Sequence, residues 1–162
     1  MIGRKGSGMK LVKMGDPLSF GGLFKENMSV RLEGPAKLGP RYLDGNQFTG
    51  TVHTVGIDAL ENPAFSGVNW VLQPAERGKW RLLNQGDRNY GLVALGTAVH
   101  LSRLSANPNL PDPMGHWLIY ATSKPGCFQF RSPNAAWLMY DDKGGLFFSC
   151  ELSSAMFWRV LA

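Results

Sequence analysis

The tetrapeptide Asn69-Trp70-Val71-Leu72 is the first of three similar stretches that together determine how this chain folds. The other two stretches are His116-Trp117-Leu118-Ile119 and Phe157-Trp158-Arg159-Val160. The tryptophans of the first two are 47 residues apart, and those of the last two are 41 residues apart. Recurrence of one pattern at a period of roughly 20–50 residues indicates that a chain is built from internal repeats.

Matched segments also precede each tryptophan in the same order. They are Val30–Glu33, Trp80–Leu83 and Phe128–Arg131; Arg41–Leu43, Asn89–Leu92 and Ala136–Leu138; and Thr51–Val55, Ala98–Ser102 and Gly145–Ser149. Apolar and polar residues alternate in several of them, as in Val30-Arg31-Leu32, which is typical of half-buried β-strands. Clusters of Gly, Pro, Asn and Asp lie between the segments and favour turns.

Four strands in each of three units predict an all-β fold, with units at about 28–77, 78–125 and 126–162. A propeller needs at least about four blades of four strands, so three units do not close one. A solenoid has a shorter period and a longer array. We therefore expect a closed six-stranded barrel capped by three hairpins, with the units related by a pseudo-threefold axis.

The chain resembles the β-trefoil superfamily, and within it the ricin-B-like lectin and fascin-like groups. This resemblance rests on Tyr42-Leu43-Asp44-Gly45, Gly50-Thr51-Val52 and Asn69-Trp70-Val71-Leu72, which are echoed in the other two units, and it covers about residues 28–162. The Gln-x-Trp signature of ricin-type lectins is absent from all three units. The resemblance implies a β-trefoil and a non-enzymatic carbohydrate-binding module, whose partner is a glycan or glycoconjugate.

The sugar pocket of ricin-like trefoils combines an aspartate just after the second strand with an amide and an aromatic residue. By this resemblance, Asp44 is the aspartate of the first unit, Asn46 and Gln47 are the amide candidates, and Phe48 is the aromatic candidate. A carboxylate accepts hydrogen bonds from sugar hydroxyls while an aromatic face covers the apolar side of the sugar. The alternative is that Asp44-Gly45 only forms a hairpin turn.

The other two units differ in what they offer at this position. The third unit has Asp141, Asp142 and Phe147 as candidate binding residues. The second unit has Leu92 and Val93 where the acid should be, so we expect no pocket there.

The two long loops at residues 56–68 and 102–115 predict an alternative function. Apolar residues that we expect to be exposed, namely Leu104, Leu110 and Met114, stand among three prolines in the second loop. Rigid loops on a stiff scaffold can present contacts to another protein. The alternative is thus a protein-binding trefoil, either a protease inhibitor or a cytoskeletal or toxin-associated domain.

The recurring aromatic and histidine residues have simple structural expectations. Trp70, Trp117 and Trp158 recur in strand register, which predicts that they fill the core. His53 and His100 stand at equivalent strand positions, and Phe147 takes the third. If Val52 and Val99 point inward, alternation along the strand directs the two histidines outward. There they are either solvent-exposed strand residues or residues with a ligand-binding or pH-sensing role.

The net charge of +5 and the isoelectric point of about 9.4 come mostly from the first residues of the chain. Residues 1–15 hold four basic residues and no acid, so residues 16–162 carry only +1. We expect a flexible basic leader over 1–15, of the kind that an expression vector adds, and a single domain over 16–162. Leu18–Phe24 could pack under the barrel. A nearly neutral domain makes nucleic acid an unlikely partner.

Other functional classes have no support in the sequence. The sequence has no apolar run of the roughly 18–20 residues that span a membrane, and no signal peptide is visible. It does not indicate the cellular compartment in which the protein works. No Ser-His-Asp, Cys-His or Gly-x-Ser-x-Gly arrangement and no metal-ligand spacing is present. We therefore expect no catalytic residues, no metal and no cofactor. Cys127 and Cys150 could form one disulfide or remain two thiols.

Overall fold

The structure is a computed structural model, and it describes residues 28–34, 39–58, 66–110, 114–151 and 157–161. The strands of this part of the chain are β1 (Met28–Gly34), β2 (Arg41–Asn46), β3 (Thr51–Val55), β4 (Trp70–Pro74), β5 (Trp80–Asn84), β6 (Tyr90–Leu95), β7 (Ala98–Arg103), β8 (Leu118–Ala121), β9 (Cys127–Arg131), β10 (Trp137–Tyr140), β11 (Leu146–Ser149) and β12 (Trp158–Leu161). Two short 3₁₀ turns, Ser66–Val68 and Glu76–Gly78, flank β4. The leader at 1–15, the stretch Leu18–Phe24 and the boundary of the domain at residue 16 lie outside the described residues, so those expectations stay predictions.

The strands pair antiparallel into one continuous sheet that closes on itself. Three hairpins, β2–β3, β6–β7 and β10–β11, pair along their length. Between them, β1 pairs with β4 and β12, β4 with β5, and β9 with β8 and β12. Two hydrogen bonds between the backbones of Trp80 and Trp117, of 2.7 and 2.8 Å, join β5 to the start of β8. Following these pairings gives a cycle of β1, β4, β5, β8, β9 and β12.

Alternation along each strand separates the core from the outer face. In β1, Val30 and Leu32 are buried while Arg31 and Glu33 are partly exposed, as the apolar pattern predicts. The predicted core tryptophans Trp70, Trp117 and Trp158 are at most 1% exposed, which confirms that expectation. They belong to a single apolar cluster to which each hairpin contributes a leucine: Leu43, Leu92 and Leu138.

One sequence prediction about the loops is wrong. Leu104 was expected to be exposed, but it is only 8% exposed and packs with Val71, Leu83 and Val93 in a small cluster separate from the main core. The Leu104 side chain packs against the backbone of Gly91. A Cβ at position 91 would lie 2.5 Å from Leu104 Cδ1, so only glycine leaves room for the leucine there. Leu110 and Met114 are exposed, as expected.

Two further questions are settled within the described residues. Cys127 is buried and Cys150 is exposed, and the two thiols are not bonded to each other. In the described part of the chain, no helix has the length and apolar character needed to cross a membrane.

Candidate functional site

The three tryptophans place the hairpins in the same way. The indole N–H of Trp70 donates to the carbonyl of Leu43 at 3.0 Å, that of Trp117 to Leu92 at 2.9 Å, and that of Trp158 to Leu138 at 3.0 Å. These bonds define matching positions on β2, β6 and β10. The residue that follows each leucine is Asp44, Val93 or Met139.

The cross-strand partners of these residues also match. Asp44 lies opposite His53, Val93 lies opposite His100, and Met139 lies opposite Phe147. The equivalence of His53, His100 and Phe147 that the sequence predicted is therefore confirmed by strand register. Of the three pairs, the first alone joins a carboxylate to an imidazole.

Asp44 and His53 form a polar pair at the surface of the first hairpin. Asp44 Oδ2 lies 2.9 Å from His53 Nε2. The Asp44 side chain is almost fully buried, whereas the His53 side chain is 48% exposed. A neutral imidazole that donates its Nε2 hydrogen to the carboxylate keeps Nδ1 as an acceptor. The pair thus links a buried negative group to a ring that solvent can reach.

The 3₁₀ turn Ser66–Val68 covers the other side of the carboxylate. A Cβ at Gly67 would lie 2.6 Å from Asp44 Oδ1 and would also collide with the carbonyl of Gly45. Only a glycine allows the turn to approach the hairpin this closely. Burial under this turn raises the pKa of Asp44 above its ordinary value of 3.8, and the neighbouring His53 partly opposes the rise.

Asn46, Gln47 and Phe48 form the end of the same hairpin. Asn46 Oδ1 accepts hydrogen bonds from the backbone N–H groups of Phe48 and Thr49, at 2.9 and 3.2 Å, so its oxygen holds the turn and only its NH₂ group is left for a ligand. Gln47 Oε1 is buried and has no hydrogen-bond partner among the described residues. Phe48 is 89% exposed. The first-unit candidates therefore lie on one hairpin: Asn46 holds the turn, Gln47 is partly buried, and Phe48 is exposed.

The third-unit candidates do not reproduce this arrangement. Asp141 lies two positions beyond the match to Asp44, and its Oδ1 accepts the N–H groups of Lys143 and Gly145 at 2.9 and 2.7 Å. Asp142 is exposed in the turn, and Phe147 is 39% exposed opposite Met139. Met139 stands where Asp44 stands in the first hairpin. The second hairpin has Val93 there, as the sequence indicated.

Gly67 is absent from the sequence predictions for this site, and His53 was predicted only to face outward and was not placed beside Asp44. The signal for His53 was present, because it is separated from Asp44 by a hairpin turn and alternation puts both side chains on one face. Gly67 follows a loop whose course the sequence does not predict. Its role depends on a contact between segments that are far apart in the chain.

Comparison with solved structures finds the same fold in proteins of very different sequence. The structure of SeviL bound to asialo-GM1 saccharide matches with a TM-score of 0.61 and 13% identity, over 83% of this chain and 97% of that one. Designed 3-fold symmetric protein ThreeFoil matches with a TM-score of 0.59 and 13% identity, over 82% of this chain and 98% of that one. Cry35Ab1 matches with a TM-score of 0.64 and 14% identity over 85% of this chain, which spans only 36% of Cry35Ab1.

Comparison with models of known protein families and with curated proteins finds no match. The structural likeness nevertheless shows that this all-β chain has the β-trefoil fold. It thereby confirms, at the level of fold, the resemblance that the strand segments indicated.

Proposed function

We propose that this protein is a non-enzymatic carbohydrate-binding module whose binding site is formed by the first hairpin, around Asp44 and His53. The fold of a saccharide-bound protein, SeviL, supports this class of function. The site itself is argued from the side chains of this chain.

The observation on which the proposal depends is a buried carboxylate where the other hairpins have apolar residues. Val93 and Met139, at the matching positions, are 2% and 3% exposed and pack in small apolar clusters. Asp44 is buried to a similar degree, at 4%, and its charge is disfavoured there. Burying a charged group costs free energy unless it is well paired. Because the matching positions of the other two hairpins hold Val and Met, the Asp at position 44 points to a functional reason for the carboxylate.

The chemistry of the pair suits the hydroxyl groups of a sugar. The carboxylate and the imidazole Nδ1 are acceptors, and the NH₂ group of Asn46 is a donor. Convergent polar groups of this kind orient a ligand, while an aromatic ring such as Phe48 covers its apolar face. The exposed ring of Phe48 lies on the same hairpin, two residues beyond Asn46.

We further propose that the chain consists of three four-strand units, at about 28–77, 78–125 and 126–162, around a pseudo-threefold axis. The repeated indole-to-carbonyl bonds and the matched cross-strand pairs support this organisation. In these terms, the module has one polar site, in the first unit, and two apolar counterparts.

A glycan array tests the proposal directly. The protein should bind a subset of glycans, and Asp44→Ala should reduce this binding at least about tenfold, since hydrogen bonds to a charged group contribute about 1.5–3 kcal/mol. The matched control is Asp142→Asn, which changes an exposed carboxylate on the third hairpin and should leave binding unchanged. A broad array without signal would rule out the proposed function. Equal losses in both variants would contradict the assignment to the first hairpin.

The protein-binding alternative has one supporting observation, the exposure of Leu110 and Met114 at 51% and 44%. Replacing the whole loop would remove Leu104, which is buried, so the double variant Leu110→Ser/Met114→Ser is the appropriate change. The glycan-binding proposal predicts that this variant binds glycans like the parent protein. The protease-inhibitor form of the alternative gains no support from the structural neighbours.

A further inference from the structure

A second polar concavity lies away from the first hairpin, where the start of β5 faces the end of β9. It has a volume of about 130 Å³, and its lining includes Lys79, His116, Arg131, Ser132, Pro133 and Ala135. This volume admits a group of a few heavy atoms rather than a sugar ring. The residues come from three separate segments of the chain, which only the closed barrel brings together.

Positive charge predominates in this concavity. Lys79 and Arg131 are the basic side chains of its lining besides His116, and Glu76 is the nearby carboxylate. Glu76 Oε1 lies 3.9 Å from Lys79 Nζ and 3.5 Å from His116 Nδ1. Glu76 Oε2 lies 3.5 Å from Arg77 Nε, so this one acid is shared among three basic groups. Among the described residues, no carboxylate oxygen lies within salt-bridge distance of Arg131. Arg131 is therefore the cation without a local counter-charge.

Arg131 is also held in a defined position. Its backbone pairs with Leu118 on one side and Trp137 on the other. Its guanidinium carbon lies 5.5 Å from the centre of the Trp137 ring, a cation–π contact that holds the charged group beside the indole. Its Nε is buried and has no hydrogen-bond partner among the described residues. A buried donor of this kind normally has an acceptor, so this one is available for a ligand.

The turn after β9 adds a further donor. Ser132 Oγ accepts hydrogen bonds from the backbone N–H groups of Asn134 and Ala136, at 3.2 and 3.3 Å. The hydroxyl oxygen thus accepts hydrogen bonds within the turn, and among the described residues no acceptor takes its O–H. An arginine fork, an ammonium group and a hydroxyl together suit the oxygens of a tetrahedral or planar oxyanion.

We propose that the concavity between Lys79, Arg131 and Ser132 binds a small oxyanion: a sulfate, phosphate or carboxylate group, either free or carried on a larger molecule. This site is separate from Asp44 and does not depend on the proposed glycan site.

Titration with sodium sulfate, followed by ¹H–¹⁵N NMR against sodium chloride at equal ionic strength, tests the proposal. Sulfate should produce saturable shifts of the amide signals of Lys79, Leu118, Ser132 and Ala135. Arg131→Gln should weaken this binding at least about tenfold, because it removes the charge-assisted hydrogen bonds. Arg88→Gln, in the exposed turn after β5, is the matched control and should bind sulfate normally. Shifts that do not saturate, that chloride reproduces, or that persist in Arg131→Gln would overturn the site.

Two further arms complete the experiment. If Arg131→Gln loses the dispersed spectrum of a folded protein, Lys79→Gln replaces it, with the same criterion of weakened sulfate binding. Galactose 6-sulfate compared with galactose and with inorganic sulfate distinguishes a glycan-borne anion from a free one. Asp44→Ala should leave inorganic sulfate binding unchanged, so failure of the glycan proposal and failure of this one are separately visible.

Discussion

At the scale of single residues, Asp44 is the position where stability and function are most clearly opposed. A carboxylate is buried at a site where the two matching side chains, Val93 and Met139, make apolar contacts. His53 offsets part of the cost through its hydrogen bond at 2.9 Å. Polar residues that break a local packing pattern are expected at functional sites. The fold itself does not require the carboxylate.

This reasoning predicts that Asp44→Val stabilises the protein. At pH 7 the free energy of unfolding should rise by about 1 kcal/mol, because the substitution removes the cost of burying a charge. Chemical denaturation measures the change, and glycan binding should be lost in the same variant. The control Asp142→Asn should alter stability by less than about 0.5 kcal/mol, as exposed substitutions usually do. A marked loss of stability in Asp44→Val would contradict the account.

The pH dependence has a definite sign. Burial raises the pKa of Asp44, so the folded chain holds this proton more tightly than the unfolded chain does. Its contribution to stability is therefore complete below the unfolded value, near 3.8, and is lost as pH rises through the higher folded pKa. The stability gained in Asp44→Val should accordingly be larger at neutral pH than in the acid range where Asp44 is protonated.

Residue-level prediction from sequence was limited by turn length. The first hairpin turn has four residues between its paired ends, Asn46 and Thr51, whereas the second has two, between Leu95 and Ala98. The third turn has five residues, between Tyr140 and Leu146. The resemblance sought an aspartate just after the second strand and so selected Asp141 in the third unit, although the backbone match to Asp44 is Met139. The cleft at Arg131 has no sequence signal, because three distant segments form it.

At the scale of elements, the same hydrogen bond, from a tryptophan indole N–H to a leucine carbonyl, recurs three times and connects each hairpin to the barrel; we call it the indole joint. Each bond connects the tryptophan that begins the fourth strand of a proposed unit, or directly precedes it, to the first strand of that unit's hairpin. Both partners are buried, so breaking the bond leaves an unsatisfied carbonyl. The joint is therefore what holds each hairpin, and the residues on it, in position over the barrel.

Trp117→Phe removes the hydrogen bond to the Leu92 carbonyl while keeping an aromatic ring in the core. We expect it to lower the free energy of unfolding by about 2–3 kcal/mol, through the unsatisfied Leu92 carbonyl and the smaller ring. Trp70→Phe and Trp158→Phe should cost similar amounts if the three units are equivalent. Denaturant titration of the three variants measures this. Costs that differ by more than about 1 kcal/mol, or that stay below that value, would count against the proposed equivalence.

At this scale the sequence was most informative. The matched segments predicted every strand found in the described residues, because alternating apolar residues and turn residues are local signals. The exposure of Leu104 was mispredicted because a proline-containing loop gives no local sign of the small cluster beneath it. The close approach of Gly67 to the first hairpin was likewise not predictable from the sequence around it.

At the scale of the whole molecule, the strands nearest the two ends of the described chain close the barrel together. β1 pairs with β12 through Arg31 and Leu161, Leu32 and Val160, and Glu33 and Arg159. The segment 157–161 also contains Trp158, which is 1% exposed in the core. Non-local pairing of this kind forms only when the whole chain is in place. Stability should therefore depend on both ends of the folded region at once.

This dependence predicts very different effects for two truncations, one of six residues at the end of the sequence and one of fifteen at its start. Deleting residues 157–162 removes β12 and a core tryptophan, so the shortened chain should lose its cooperative thermal transition. Deleting residues 1–15 removes the basic segment predicted to be a leader, so the melting temperature should change by less than about 2 °C, a shift that corresponds to at most about 1 kcal/mol. Circular dichroism melts of the two variants beside the full chain provide the measurement. A large loss of stability without residues 1–15 would show that the folded domain begins before residue 16. A cooperative transition without residues 157–162 would show that β12 is not needed to close the barrel.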